Sequence, residues 1–67
     1  MLCKPIGEIK ILDRYTVLRF NKLPTTPYKK IKVGSRLFEV VPVYDAKNCI
    51  AVESTDSFLN SQIEFVL

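Results

Sequence analysis

A small antiparallel barrel of five or six strands is the fold class these 67 residues predict, and three features predict it. Apolar residues recur at every second position: Ile9 and Ile11, Ile31 and Val33, Ile50 and Val52, then Ile63, Phe65 and Leu67. That period of two puts one set of side chains on a core and the other in water, as a half-buried antiparallel strand requires. The runs are filled with β-branched and aromatic residues, which fit a pleated surface, and the breaks between them hold turn residues.

In chain order the pattern gives strands at 6–12, 15–20, 29–33, 36–44, 49–54 and 62–67. Asp13-Arg14 closes a tight turn between the first two, or marks a bulge in one long bent strand. Leu23-Pro24-Thr25-Thr26-Pro27 cannot pair regularly and is the longest predicted loop. Gly34-Ser35 is a two-residue hairpin signal, because glycine takes positive φ at no steric cost. Pro42 lies inside the apolar run 38–44 and has no N–H for a ladder, so that strand belongs at an edge or is bulged there. Asp45-Ala46-Lys47-Asn48 is a four-residue turn, with Asn48 tolerant of the left-handed region at its end.

Residues 55–60 break the alternation. Thr55 or Asp56 offers a cap for a single 3₁₀ turn near 55–60 that buries Phe58 and Leu59, and Asn60 offers a left-handed close. Strand, four-residue hairpin, strand, 3₁₀ turn, strand over 36–67 resembles the layout of SH3-like small barrels. An OB-like barrel is the alternative, but the helix that usually caps it between its third and fourth strands has no candidate here.

Composition narrows function more than it identifies it. One domain over 1–67 buries only roughly 60% of its unfolded surface, and its core supplies about 3–5 kcal/mol net. Cys3 and Cys49 are two cysteines, too few for a disulfide framework, and are expected as free thiols in a reducing setting, with Cys49 buried. The start Met-Leu-Cys-Lys-Pro is followed by no apolar stretch, so no signal peptide is expected. No run approaches the ~20 apolar residues of a membrane span. The expectation is therefore a cytoplasmic protein with no membrane partner.

Catalysis is not expected. There is no histidine, so Ser–His and Cys–His arrangements are ruled out. Two distant cysteines give no zinc spacing, residues 45–48 lack the pattern of a calcium loop, and two glycines cannot make a phosphate cradle. No cofactor or metal is expected. Glu39 and Glu53 serve a hydrolase only if they converge in a cleft.

Charge is unevenly spread along the chain. Residues 1–36 carry nine Lys/Arg against Glu8 and Asp13, a net of +7; residues 37–67 carry Lys47 against five acids, a net of −4. Together these make the total of +3. If the split survives folding, it presents a positive face to an anionic partner. Lys22, Lys29, Lys30, Lys32 and Arg36, with Tyr28 among them, are candidates for single-stranded nucleic acid: cations for phosphates and a ring for stacking. The same lysines also fit the solvated half of an amphipathic strand, where lysine blunts an open edge.

Apolar residues of the opposite parity point elsewhere. Leu12, Val17, Val41, Val43, Cys49 and Val66 do not fit beside an inward set of Ile9, Ile11, Leu18, Phe20, Ile31, Val33, Phe38, Val40, Ile50, Val52, Ile63 and Phe65. Either bent strands bury both parities or an apolar patch is left over. Val17, Val41, Val43 and Val66 are accordingly the protein-interaction candidates. The expected function is a non-catalytic binding module for a protein partner or a second copy of itself, with nucleic-acid binding as the alternative.

Overall fold

The computed structural model describes residues 2–67 and holds eight strands and no helix among them. They are β1 (Leu2–Cys3), β2 (Gly7–Ile11), β3 (Tyr15–Arg19), β4 (Lys30–Val33), β5 (Arg36–Glu39), β6 (Val41–Pro42), β7 (Cys49–Val52) and β8 (Ile63–Val66). Two antiparallel sheets form, one in the order β1-β8-β4-β5 and the other β2-β3-β7-β6.

The six expected strands become eight because the one at 36–44 divides between the two sheets as β5 and β6, and because β1 was not expected. Residues 36–42 cross after Val40, whose N–H extends the β4–β5 ladder one step by donating to the Lys29 carbonyl at 3.0 Å before Val41 and Pro42 pair with β7. The N-terminal segment crosses between β1 and β2, where Ile6 N–H donates to the Arg19 carbonyl at 2.7 Å. Pro42 sits in β6, at the edge of its sheet and paired only with β7, as its missing donor demands.

The turns follow their residues. Gly34 adopts φ 63° between paired Val33 and Arg36, the positive first position of a two-residue hairpin. Asn48 closes the 45–48 turn at φ 60°, and its side chain donates to the Asn21 carbonyl at 3.1 Å. The β2–β3 loop is less comfortable: Leu12 and Asp13 both take positive φ, at 57° and 51°. For a leucine this costs roughly 1–2 kcal/mol.

The core is Leu18, Phe20, Ile31, Ile50, Val52, Phe58 and Ile63, with Phe65 and Tyr28 packed edge-on beside it. Three expectations fail here. The 3₁₀ turn near 55–60 is absent; the segment runs as bends to a single turn closed by Ser61 N–H to the Phe58 carbonyl at 3.0 Å. Neither Thr55 nor Asp56 caps that turn; Ser54 instead accepts the Asp56 N–H at 3.2 Å in a local turn at the start of the segment, and Asn60 stays out of the left-handed region. Phe58 is buried as expected, but Leu59 is exposed.

The third correction concerns β2. Glu8 and Lys10 pair with the fully buried Leu18 and Thr16, so they share the inward parity. Ile9 and Ile11, expected inside, are instead 65% and 42% exposed. Alternation fixes which residues share a face but not which face is inner. Here the choice goes to the polar pair because segment 54–58 presents hydrogen-bonding groups at that end of the core.

That segment lies across the open edges of both sheets and is held by a clasp of side chains. Glu8 accepts the Phe58 N–H and the Ser57 hydroxyl, each at 2.9 Å. Thr16 donates to the Ser54 carbonyl at 2.6 Å and accepts from Lys10 at 3.0 Å. Lys10 also donates to the Asp56 carbonyl, and Arg36 is ion-paired with the Asp56 carboxylate. Phe58, so pinned, meets Phe38 edge-on at 5.3 Å and plugs this end of the molecule. No described helix is long and apolar enough to cross a membrane.

Candidate functional site

Clasped at one end, the protein exposes the flanks of the outer surface of the β2-β3-β7-β6 sheet, whose middle is partly shielded, with Ala51 only 7% exposed. Register alone builds the centre of that surface. Ile9 pairs with Val17, Val17 with Ala51, and Ala51 with Val41, so one apolar row crosses all four strands on the outward parity. Ile9 and the 43%-exposed Val41 end the row, and Val17 is half-buried between neighbours. Arg14 and Glu53 form a rim pair at 2.6 Å, and this hydrogen bond raises the Arg14 pKa above its already high ordinary value.

Three depressions lie on the outer face and around the unclasped end, the largest of them on the inward parity of Pro42 and Ile50. The first is lined by Gly7, Glu8, Ile9, Val17, Arg19 and Cys49. Cys49 also lines the largest, which is formed by Leu23, Tyr28, Lys29, Val40, Pro42, Val43, Tyr44 and Ile50 and reaches the core. Leu23 in turn lines a third with Lys22, Pro24 and Thr25. The depressions are thus neighbours through Cys49 and through Leu23, a row from β2 to the proline loop that makes up the trough. Loop 21–28 and the turn after Pro42 supply its walls because neither can pair in a ladder.

Each depression holds one basic residue: Arg19, Lys29 and Lys22. Among the described residues none of the three forms a salt bridge. The Arg19 guanidinium lies over Gly7, whose missing Cβ would sit 3.7 Å from Arg19 Nε. The carboxylate in the lining, Glu8, is turned to Ser57 and Phe58; the Phe58 N–H, chiefly, holds its pKa below the ordinary value. Tyr44 is 94% exposed, while the Tyr28 ring packs on Phe65 at 4.8 Å.

The nucleic-acid candidates divide. Lys22, Tyr28 and Lys29 line the trough. Lys30 and Lys32 lie on β4 in the other sheet, opposite Glu39 and Glu64 respectively, and Arg36 is committed to Asp56 and the Phe38 ring, 4.8 Å away. The charge split along the sequence is thus interleaved by folding, since β4 is flanked by the acid-bearing β5 and β8. Of the interaction candidates, Val17 and Val41 share the outer row, and Val43 is in the trough. Val66 sits apart, paired with Lys30.

Glu39 is in β5 opposite Lys30, while Glu53, just past the end of β7, is paired with Arg14. The described residues contain no group of three or more His, Cys, Asp or Glu placed to hold a metal. Cys3 and Cys49 are both free and both half-buried, so Cys49 is a trough residue rather than a core thiol. What the sequence reading missed was the trough itself, because loop 21–28 and the turn after Pro42 are separated in the chain by β4, β5 and β6 and nothing local marks them as neighbours. Comparison with known proteins gives no match, whether to family models, curated proteins or solved structures.

Proposed function

We propose that this chain is a non-catalytic interaction module of the cytoplasm, docking a protein partner on the outer surface of the β2-β3-β7-β6 sheet. The two sheets, joined through bent strands at Val40 and at residues 4–6, are read as a small barrel with the SH3-like layout, the OB-like one being the alternative. The observation that carries the function is the row Ile9–Val17–Ala51–Val41, with large aliphatic side chains left in water at both ends. Apolar groups gathered on one sheet face mark contact surfaces.

Area bears on the strength of the contact. Four strands about 4.8 Å apart and five residues at about 3.3 Å each give a face of roughly 300 Å². A stable protein–protein interface needs about 800 Å² from each partner, so this face alone supports only a weak contact, whether with a second copy or with another chain, and a tighter one must also use the neighbouring depressions. Single-stranded nucleic acid is the second reading, supported by Lys22, Tyr28 and Lys29 in one trough.

A photo-crosslinking residue placed at Val41, and separately at Leu37 on the other sheet, tests this in the source cell. The reading predicts a protein adduct of discrete mass from position 41 and not from position 37. An adduct at twice the chain mass assigns self-association, and one removed by nuclease assigns nucleic acid. Equal or absent adducts at the two positions overturn the docking surface.

A further inference from the structure

The charge in the trough says what kind of segment it takes, on the reading that it docks a protein. We propose that the occupant is an extended acidic segment of a partner protein, with apolar side chains set between its carboxylates. The trough carries one cation in each of its three depressions, Arg19, Lys29 and Lys22, none paired within the described chain. Its carboxylate, Glu8, is turned to Ser57 and Phe58, and its charge is partly offset by the Lys10 ammonium at 3.9 Å. Of the other cations, Lys10 is paired with Glu8, Arg14 with Glu53 and Arg36 with Asp56, and Lys30 and Lys32 stand opposite Glu39 and Glu64 in register, while Lys4 and Lys47 are exposed away from the trough linings. A line of free positive charge over aliphatic Val17, Val43 and Leu23 matches a ligand that alternates negative and apolar groups.

Shape and lining favour a peptide over a nucleic-acid strand. A strand bound by stacking needs successive open ring faces. Here Tyr28 is packed edge-on against Phe65, and Tyr44 is the one open ring in the trough. In the large central depression the other uncharged residues are aliphatic or proline apart from Cys49, which suits leucine- or phenylalanine-sized side chains entering beside Ile50.

Selection of random displayed dodecapeptides on the intact chain tests the proposal, followed by titration of one enriched synthetic peptide and of an oligothymidylate of similar length. Enrichment of Asp/Glu around aliphatic or aromatic residues is expected. Binding of that peptide should weaken about tenfold or more on Arg19→Glu or Lys29→Glu and stay within about twofold on Lys32→Glu. Enriched peptides that are neutral or basic, no enrichment at all, equal loss on Lys32→Glu, or tighter binding of the oligothymidylate would each overturn it. A protein adduct at Val41 alongside such a result leaves the docking surface standing and removes only its acidic occupant. Thermal melts of the exposed Arg19 and Lys29 variants separate lost binding from lost fold.

Discussion

Replacing Glu8 with alanine tests the clasp that closes one end of the molecule. The carboxylate is only 16% exposed and accepts two hydrogen bonds at 2.9 Å, one from a backbone N–H and one from the Ser57 hydroxyl. Hydrogen bonds to a charged group contribute about 1.5–3 kcal/mol each, but Ser57 is at the surface and regains water when its acceptor goes. The part-buried Phe58 N–H regains less. The Lys10 ammonium, 3.9 Å away and partly exposed, adds only a few tenths of a kcal/mol. The expected loss is therefore about 2–3 kcal/mol, or a fall of roughly 10–20 °C in Tm for a domain of this size. Glu8→Gln keeps an oxygen for Phe58 and should lose about half as much.

The same residue sets a pH dependence. Its folded-state pKa lies below the ordinary 4.5, mainly through the Phe58 N–H. Its contribution is therefore fully present above pH 4.5 and disappears as pH falls through the lowered value. Thermal melts of wild type and Glu8→Gln from pH 7 downward should converge below 4.5. A Glu8→Ala protein within about 0.5 kcal/mol of wild type at pH 7, the range of an ordinary surface change, would refute the clasp.

Other outcomes follow from the same geometry. Leu12 is 86% exposed at φ 57°, so Leu12→Asn should raise stability by about 0.5–1 kcal/mol in a denaturant melt, and a loss would show that the loop is not strained. Phe58→Ala should cost about 3–5 kcal/mol, as much as a core of this size supplies, and leave an undispersed NMR spectrum, whereas Phe58→Leu should still fold. In a Cys3→Ser protein, maleimide labelling of the half-buried Cys49 should abolish crosslinking from Val41, because the thiol lines two of the neighbouring depressions. Undiminished crosslinking would remove Cys49 from the docking surface.

Much of this fold is legible in the chain. The period of two located the six main strands to within a residue or two. Gly34, Pro42 and Asn48 each did what their backbone chemistry requires. The two-residue β1 was too short to show a rhythm. Strand β2 carried a clear rhythm with the opposite face inward, because Glu8 and Lys10 answer donors and acceptors on a segment some 46 residues later. No local pattern encodes that partnership. The outer apolar row was half visible as leftover Val17 and Val41, and the inverted β2 completed it with Ile9. The basic cluster dispersed for a similar reason: neighbours in sequence on β4 gained acidic neighbours in space.

Amide shifts in a ¹⁵N-labelled protein, followed as an enriched acidic peptide is added, bear most directly on the docking surface. Perturbations gathered at Val17, Arg19, Lys29, Tyr44 and Cys49 are predicted, with Lys32, Leu37 and Glu64 unmoved. Shifts centred on those last three, on the opposite sheet, would contradict it.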